Sequence, residues 1–371
     1  MSLFSTNGNS YLGIDIGTSS IKLCELSAFN GRPKLLTYGF SERNVSLTGT
    51  SFLNNTDEAA LAIKNICEKA NVQTKKAITA LPNFSVFSSI LNLPSMTKKE
   101  LASAITWEAK KIIPTPLDEI ILDWKIIEEI DADNLGRPQG QIDNPQENRS
   151  LKRIFSKPKK NLKILLTGAN KSLVKKYIEV FNKAGLSLLS LETENFAMIR
   201  SLIGNDKSNI MVIDLGANTS SISVVEKGIP VLSRSLELGG FMITKAISMS
   251  LNINLERAEQ FKQDMSLDNE TADNALPQTV EKAFAPILHE IKFTINLYQD
   301  QNNKKVEKII LSGGSSLLGH LTKYLSDLLG INVYIGDPWA RVIFPMELKP
   351  ILDRLGSKFA ISVGLAMRDI E

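Results

Sequence analysis

Histidine and cysteine are scarce in this chain of 371 residues, which contains two of each. The histidines, His289 and His320, and the cysteines, Cys24 and Cys67, are too far apart in sequence to form a zinc-binding motif. Cys24 lies in a strand-like pattern and Cys67 in a helical one, so we expect both to be reduced packing residues. This use of cysteine is typical of a cytoplasmic protein.

Long apolar runs are also missing, since no stretch of about 18 residues is apolar enough to predict a transmembrane helix. The N-terminal segment MSLFSTNGNSY lacks the basic region and apolar core of a signal peptide. The net charge is only +3, and the basic residues are scattered. We therefore expect a soluble protein of two domains that binds no nucleic acid.

A short motif occurs twice in the chain. Leu12–Leu23 (LGIDIGTSSIKL) predicts an apolar strand, a turn of small residues and a second strand, and Met211–Val225 (MVIDLGANTSSISVV) repeats the plan. A turn of small residues lets phosphate approach the backbone closely, although a single copy would indicate only a hairpin. The repeat, about half a chain away, predicts two related domains that each offer one hairpin to a shared ligand.

A third glycine turn, Ser312–Ser315, lies between a predicted strand, Ile309–Leu311, and a predicted helix, Leu317–Leu329. It matches neither the GxxxxGK[ST] phosphate loop nor the GxGxxG dinucleotide fingerprint. A glycine pair that opens a helix would still let a flat base lie against the backbone, near a helix N-terminus that favours phosphate. On its own, this turn would indicate no more than a tight strand-to-helix connection.

The rest of the chain alternates predicted strands and helices, which is typical of an α/β protein. Thr97 and Glu100 form a capping-box pattern at the start of one predicted helix. Residues 131–160 are rich in Asn, Gln, Pro and Gly, which predicts a mobile insertion. Its basic end, KRIFSKPKK, leaves open contact with a membrane surface or an acidic partner.

The three glycine turns, taken in order, resemble the two phosphate loops and the adenosine loop of the actin-like ATPase superfamily. The segments ENFAMIRSL, with Ala197, and FAISVGLAMR, with Ala360 and Gly364, resemble its two connecting helices. Small residues in these helices would let them cross closely between the two domains. Five elements in the expected order are far more specific than any one of them.

Within this superfamily the chain resembles the PilM family of type IV pilus assembly proteins over nearly its whole length. The similar segments are LNLPSMTKKELASAITWEAKKIIPTPLDEIILDWKII, ETENFAMIRSL, SRSLELGGFMITKAI and RAEQFK. The insertion at 131–160 departs from the family pattern.

The resemblance implies an α/β actin-like ATPase fold, in which two duplicated ribonuclease-H-like domains flank a nucleotide cleft. Residues 1–76 and 161–205, completed by 351–371, would form the first domain, and residues 206–350 the second. Residues 77–160 would form an extra subdomain of the FtsA and PilM type.

The resemblance also implies which residues hold ATP and Mg²⁺. Asp15 and Asp214 would hold Mg²⁺, mostly through water, because Mg²⁺ retains much of its hydration shell. Lys22 would contact the β- or γ-phosphate. The other residues expected to contact ATP are Gly17, Thr18, Ser19, Gly216, Asn218, Thr219, Gly240, Glu259, Lys262, Gly313, Gly314 and Ser315.

Simpler interpretations stay open for several of these residues. Either aspartate alone could cap a turn, and Lys22 could be a solvated strand residue. Glu259 and Lys262, one helical turn apart, could form a surface ion pair. No residue is identified as the one that positions an attacking water, so a slow ATPase and an ATP-holding scaffold both fit.

The expected function is that of a cytoplasmic ATP-binding component of the type IV pilus assembly platform at the inner membrane. The resemblance implies that it binds the cytoplasmic N-terminal tail of PilN through segments near Val86–Leu93 and Trp107–Ile121, and that it links the platform to the pilus motor. Motor ATPases and self-association are further possible contacts, and the membrane would be contacted through partners. Whether the pilus serves twitching motility, adhesion, DNA uptake or secretion is left open.

Two alternatives remain at this stage. An FtsA-like protein of cell division would carry a C-terminal amphipathic anchor, whereas this sequence ends in a segment that the nucleotide fold itself would use. A small-molecule kinase of the superfamily would need a catalytic aspartate in a substrate cleft, and none can be assigned.

Overall fold

The computed structural model describes residues 10–43, 52–131, 160–267 and 276–370. Its strands are β1 (Ser10–Ile16), β2 (Ser20–Phe29), β3 (Arg32–Glu42), β4 (Lys76–Leu81), β5 (Val86–Pro94), β6 (Ile120–Asp131), β7 (Lys160–Asn170), β8 (Ser187–Thr193), β9 (Ile210–Leu215), β10 (Ser220–Glu226), β11 (Ile229–Leu236), β12 (Lys308–Ser312) and β13 (Asn332–Ile335). Its helices are α1 (Thr56–Lys69), α2 (Lys98–Ile112), α3 (Lys171–Lys183), α4 (Glu194–Met198), α5 (Gly240–Leu251), α6 (Leu255–Leu267), α7 (Gln278–Asn302), α8 (Leu321–Leu329) and α9 (Lys349–Met367). The predicted mobile insertion lies almost wholly outside the described residues.

Two five-stranded sheets with the same topology form the centre of the larger compact unit, residues 1–84 and 175–371. Their strand orders are β3-β2-β1-β4-β8 and β11-β10-β9-β12-β13. In each sheet the first three strands are antiparallel, and the fourth and fifth continue in parallel from the central strand. This confirms the duplicated α/β architecture, because two unrelated sheets would rarely share both order and strand direction.

The strands that carry the repeated motif are buried on both faces. In β1 every residue from Leu12 to Ile16 is buried, and in β9 every residue except Asp214 is buried. Continuous apolar runs are typical of such central strands. The aspartate at the end of each run therefore comes to the edge of a rigid sheet.

Helices α4 and α9 cross at very small separation, as the small residues predict. A Cβ on Gly364 would lie 1.9 Å from the carbonyl oxygen of Ala197, and one on Gly13 would lie 2.0 Å from that of Ser362. The Ser201 hydroxyl also donates a 2.7 Å hydrogen bond to the carbonyl of Ala360. The helix predicted over residues 194–202 is α-helical only to Met198, and Ile199–Ile203 form a π-helical turn.

Residues 85–174 form a second compact unit. Its sheet has the antiparallel order β5-β7-β6, and the apolar face of α2 packs on this sheet through Leu101, Ile105 and Ala109. The predicted capping box is present, because Thr97 Oγ1 accepts from the Glu100 amide and Glu100 Oε2 accepts from the Thr97 amide at 3.0 Å.

The bounds of this unit differ from the boundaries at 77 and 160 that were drawn from the sequence. β4 belongs to the first large sheet, where it lies parallel to β1, and β7 completes the smaller sheet between β5 and β6. Both pairings join segments that are distant in sequence, so local pattern does not reveal them. The division of the larger unit into two domains at 205 and 350 stays a prediction.

The last two predicted helices also differ from those observed. The helix expected from Leu317 begins only at Leu321, because a 3-10 turn occupies Gly314–Leu317 and His320 adopts a left-handed conformation with φ +63°. The final helix is longer than predicted and starts at Lys349, with a proline at the start of the helix, where its missing amide costs nothing. Among the described residues, no helix is both long and apolar enough to cross a membrane.

Candidate functional site: a cleft lined by three glycine turns

The three predicted glycine turns line one cleft of about 720 Å³ in the larger unit. The two repeated turns are built alike: the Gly17 amide donates to the Ser20 carbonyl at 2.9 Å, and the Gly216 amide donates to the Thr219 carbonyl at 3.0 Å. Each turn directly follows a central strand that is held in register by two neighbours. The sheets therefore fix both turns rigidly at the cleft.

Asp15 and Asp214 end the two equivalent central strands and line the cleft. Lys22 Nζ lies 3.2 Å from Asp15 Oδ2, and both side chains are largely buried. The pKa of Asp214 is raised to about 6, mainly by burial and also by the charge of Asp15, while Lys22 and the Ser312 hydroxyl act in the opposite direction. Two carboxylates that repel each other across a cleft form a favourable environment for a divalent cation.

Glu194 is a third acidic residue of the cleft, and sequence reasoning missed it. Burial raises its pKa well above the ordinary value, and the charges of Asp15 and Asp214 raise it further. The backbone amide of Asn83 donates to Glu194 Oε2 at 2.9 Å and fixes the carboxyl group. In the sequence Glu194 reads only as an acidic first-turn residue of a helix, so nothing local marks it as functional. A carboxyl group in this position could accept a proton from water or orient it.

The third glycine turn, between β12 and the 3-10 turn, packs tightly against the second one. Gly313 has φ +85°, and a Cβ there would lie 2.7 Å from Asp214 Oδ1, so glycine is required both for the backbone angle and for the space. A Cβ on Gly240 would lie 2.0 Å from Ser315 Oγ. These contacts hold the Ser312–Ser315 turn beside the carboxylate.

Glu259 and Lys262 form a partly buried cluster on the cleft wall. Lys262 Nζ lies 2.7 Å from Glu259 Oε2, donates to Thr244 Oγ1 at 2.8 Å and donates to the carbonyl of Gly240 at 3.2 Å. Burial lowers the pKa of Lys262, and Glu259 partly offsets this effect. Burial would raise the pKa of Glu259, but the charge and hydrogen bond of Lys262 lower it overall. The two residues do pair with each other, but Lys262 is buried rather than solvated.

All but two of the predicted ATP-contacting residues line the cleft. The two exceptions are Asn218 and Gly240. Gly240 lies just behind the wall, where its amide donates to the Gly216 carbonyl at 2.9 Å. Basic residues that sequence reasoning did not include also line the cleft: Arg43, Arg354 and Lys358.

Comparison with known proteins shows which family this chain matches. The model of the family described as type IV pilus assembly protein PilM matches residues 13–136 and 149–370. The chain belongs to the PilM family. The predicted resemblance is therefore confirmed, and the family pattern is interrupted inside the predicted insertion.

A solved structure of a PilM-PilN type IV pilus biogenesis complex is similar over 97% of this chain and 98% of the other, with 25% identity and a TM-score of 0.76. Ethanolamine utilization protein EutJ from Carboxydothermus hydrogenoformans shares the fold, with 15% identity over 98% of this chain and 91% of that protein and a TM-score of 0.55. Cell division protein FtsA of Bacillus subtilis is 23% identical over 90% of this chain and 79% of its own length.

Proposed function

We propose that this PilM-family protein binds Mg·ATP in the cleft and thereby serves as the nucleotide-binding component of a type IV pilus assembly platform. The observation that carries the proposal is the pair of aspartates, Asp15 and Asp214, which end matched strands of a duplicated sheet and converge on one cleft. A lone hairpin would place one carboxylate at a turn. Two carboxylates whose charges interact favour the binding of a cation and of the phosphates that accompany it.

The donor set fits magnesium held mostly through water. Among the residues that the structure describes, no three His, Cys, Asp or Glu side chains cluster as a metal-ligand set. Two carboxylates suit Mg²⁺, which keeps several waters and takes further oxygen ligands from phosphate. Bound Mg²⁺ would neutralise charge on the phosphates and on the two aspartates.

The glycine turns would contact the rest of the nucleotide. Amides and hydroxyls of residues 17–19 and of Gly216 and Thr219 would donate to phosphate oxygens, and Lys22 would supply a positive charge. Residues 313–315, Glu259 and Lys262 would lie along the adenosine. Glu194, which lines the same cleft, would be the candidate for orienting an attacking water.

We further propose that the second compact unit binds the N-terminal tail of a PilN partner at the cytoplasmic face of the inner membrane. Among the described strands of this unit β5 and β6 are edge strands, and an extended peptide can pair with such an edge. Four large apolar side chains of this unit are exposed: Trp107 at 60%, Ile121 at 44%, Ile126 at 41% and Ile112 at 37%. Exposed apolar side chains on an edge strand, such as Ile121 and Ile126 on β6, and on α2, which packs on the same sheet, are suited to binding an extended tail. Through such a complex the protein would connect the platform to the pilus motor.

Calorimetric titration of Mg·ATP tests the nucleotide proposal. We expect saturable binding by the wild type, and binding weakened by at least about tenfold in Asp214→Ala, because a charged Mg²⁺ partner is removed. Asp206→Ala is a matched control, since Asp206 pairs with Lys308 outside the cleft lining. Equal affinity in all three proteins would contradict the proposal.

Fluorescence anisotropy with a labelled synthetic PilN tail tests the partner proposal. We expect Trp107→Ala to weaken binding, and Phe293→Ala, which removes an aromatic side chain that is 47% exposed in the larger unit, to leave it unchanged. The absence of binding by the wild type, with and without Mg·ATP, would count against the proposal.

A further inference from the structure

The cleft lining carries more acidic than basic groups, although its proposed ligand is an anion. Among the described residues, the basic ones are Lys22, Arg43, Lys262, Arg354 and Lys358, and the acidic ones are Asp15, Glu42, Glu194, Asp214, Glu256 and Glu259. The lysines each pair with an acid of the same lining, at 3.2 Å (Asp15), 2.7 Å (Glu259) and 3.0 Å (Glu42). Besides the charge that Mg²⁺ and Lys22 would supply, phosphate binding would therefore gain from one condition: a lining cation whose counter-charge can remain outside the cleft.

Arg43 meets this condition. Its guanidinium forms an ion pair with Glu58, which stands in the first turn of α1 and does not line the cleft. The guanidinium also lies over the ring of Phe52, 3.7 Å from the ring centre. The side chain is only 14% exposed, so its charge is poorly screened by solvent.

The backbone of Arg43 is fixed beside the first phosphate turn. Its amide donates a 2.8 Å hydrogen bond to the carbonyl of Ser19, directly beyond the β2–β3 pair formed by Ser20 and Glu42. Arg43 is therefore tied to the same turn whose amides would face the nucleotide.

We propose that Arg43 is a further phosphate-binding residue that exchanges Glu58 for a phosphate oxygen of the bound nucleotide. This inference rests on the proposed nucleotide binding. The guanidinium is a planar fork that binds phosphate in a bidentate manner and keeps its charge at every relevant pH. Glu58 remains stabilised after the exchange, because an acidic residue in the first turn of a helix interacts favourably with the positive end of the helix dipole. The exchange would also couple nucleotide binding to α1, because it would release Glu58 from its pair with Arg43.

The test measures dissociation constants for Mg·AMP-PNP and for adenosine in the full-length protein. Arg43→Gln should weaken Mg·AMP-PNP by about tenfold to hundredfold, as expected for loss of a charge-assisted hydrogen bond, and should leave adenosine unchanged. Glu58→Gln should tighten Mg·AMP-PNP, because it removes a competing partner of Arg43. Arg234→Gln is the matched control: Arg234 also pairs with an acid, Glu290, and lies near a phenylalanine ring, but it does not line the cleft.

Opposite effects of Arg43→Gln and Glu58→Gln distinguish phosphate binding from a structural role of the ion pair. If the pair only stabilised the fold, Arg43→Gln and Glu58→Gln would weaken binding alike, and that result would overturn the inference. An unchanged affinity of Arg43→Gln for Mg·AMP-PNP would overturn it as well. Absence of nucleotide binding by the wild type would instead refute the proposed function itself.

Discussion

Replacing Asp214 by asparagine should stabilise the protein at neutral pH. The fold raises the pKa of this carboxyl group from 3.8 to about 6, so it disfavours the ionised form. This difference in pKa corresponds to a destabilisation of the fold by about 3 kcal/mol when the carboxyl group is fully ionised. Asparagine keeps the shape and removes the charge, so the free energy of unfolding at pH 7.5 should rise by up to about 3 kcal/mol.

The pH dependence of this gain follows from the sign of the pKa shift. A carboxyl group with a raised pKa destabilises the fold most above pH 6, and this cost disappears as the pH falls to about 4, where the unfolded chain also begins to bind the proton. The advantage of Asp214→Asn should therefore shrink between pH 6 and pH 4. Glu194 contributes a slope of the same sign, and because the charge of Asp214 helps to raise the pKa of Glu194, this slope should be smaller in Asp214→Asn.

Urea denaturation followed by circular dichroism at several pH values measures the difference. Asp206→Asn is a control of opposite sign, because Lys308 and Ser208 lower the pKa of Asp206 through hydrogen bonds. This variant should lose stability at pH 7.5, by no more than about 1 kcal/mol since the pair is near the surface. The reasoning would be refuted if Asp214→Asn were less stable than the wild type at pH 7.5, or if its advantage persisted unchanged at pH 4.

Three further substitutions test the packing by urea denaturation. Gly364→Ala should cost about 1–3 kcal/mol or more, because its Cβ would lie 1.9 Å from the Ala197 carbonyl oxygen; unchanged stability would contradict the close helix crossing. Tyr177→Phe should leave stability unchanged or raise it by about 1 kcal/mol, because the buried hydroxyl has no hydrogen-bond partner among the described residues; a marked loss would reveal such a partner. Thr97→Ala should cost about 1 kcal/mol by removing the cap of α2, and Thr97→Ser should retain most of the stability that the cap contributes.

Features encoded by neighbouring residues were predictable from the sequence. The two hairpins follow from apolar runs that end in Asp-x-Gly, and the capping box at Thr97 follows from two side chains three residues apart. The close crossing of α4 and α9 was also predictable, because small residues such as Gly364 and Ala197 occur where the superfamily pattern places its connecting helices. Each of these signals lies within one short segment.

Features that depend on distant segments were not predictable. Glu194 becomes notable only when folding brings it near Asp15 and Asp214 and buries it. The pairing of Arg43 with Glu58 spans a stretch whose sequence pattern gives no sign of an ion pair. The predicted start of α8 was wrong because His320, in a left-handed conformation, interrupts a run whose apolar spacing favours a helix. Tertiary contacts, rather than propensity, decide such positions.

The central claim is that the two repeated turns hold one nucleotide between them, and a crystal structure with Mg·AMP-PNP tests it most directly. We predict phosphate density within hydrogen-bonding distance of the amides at 17–19 and at 216–219, with Mg²⁺ and its waters between Asp15 and Asp214. Nucleotide density elsewhere on the protein, or an unchanged cleft at saturating ligand, would contradict the account.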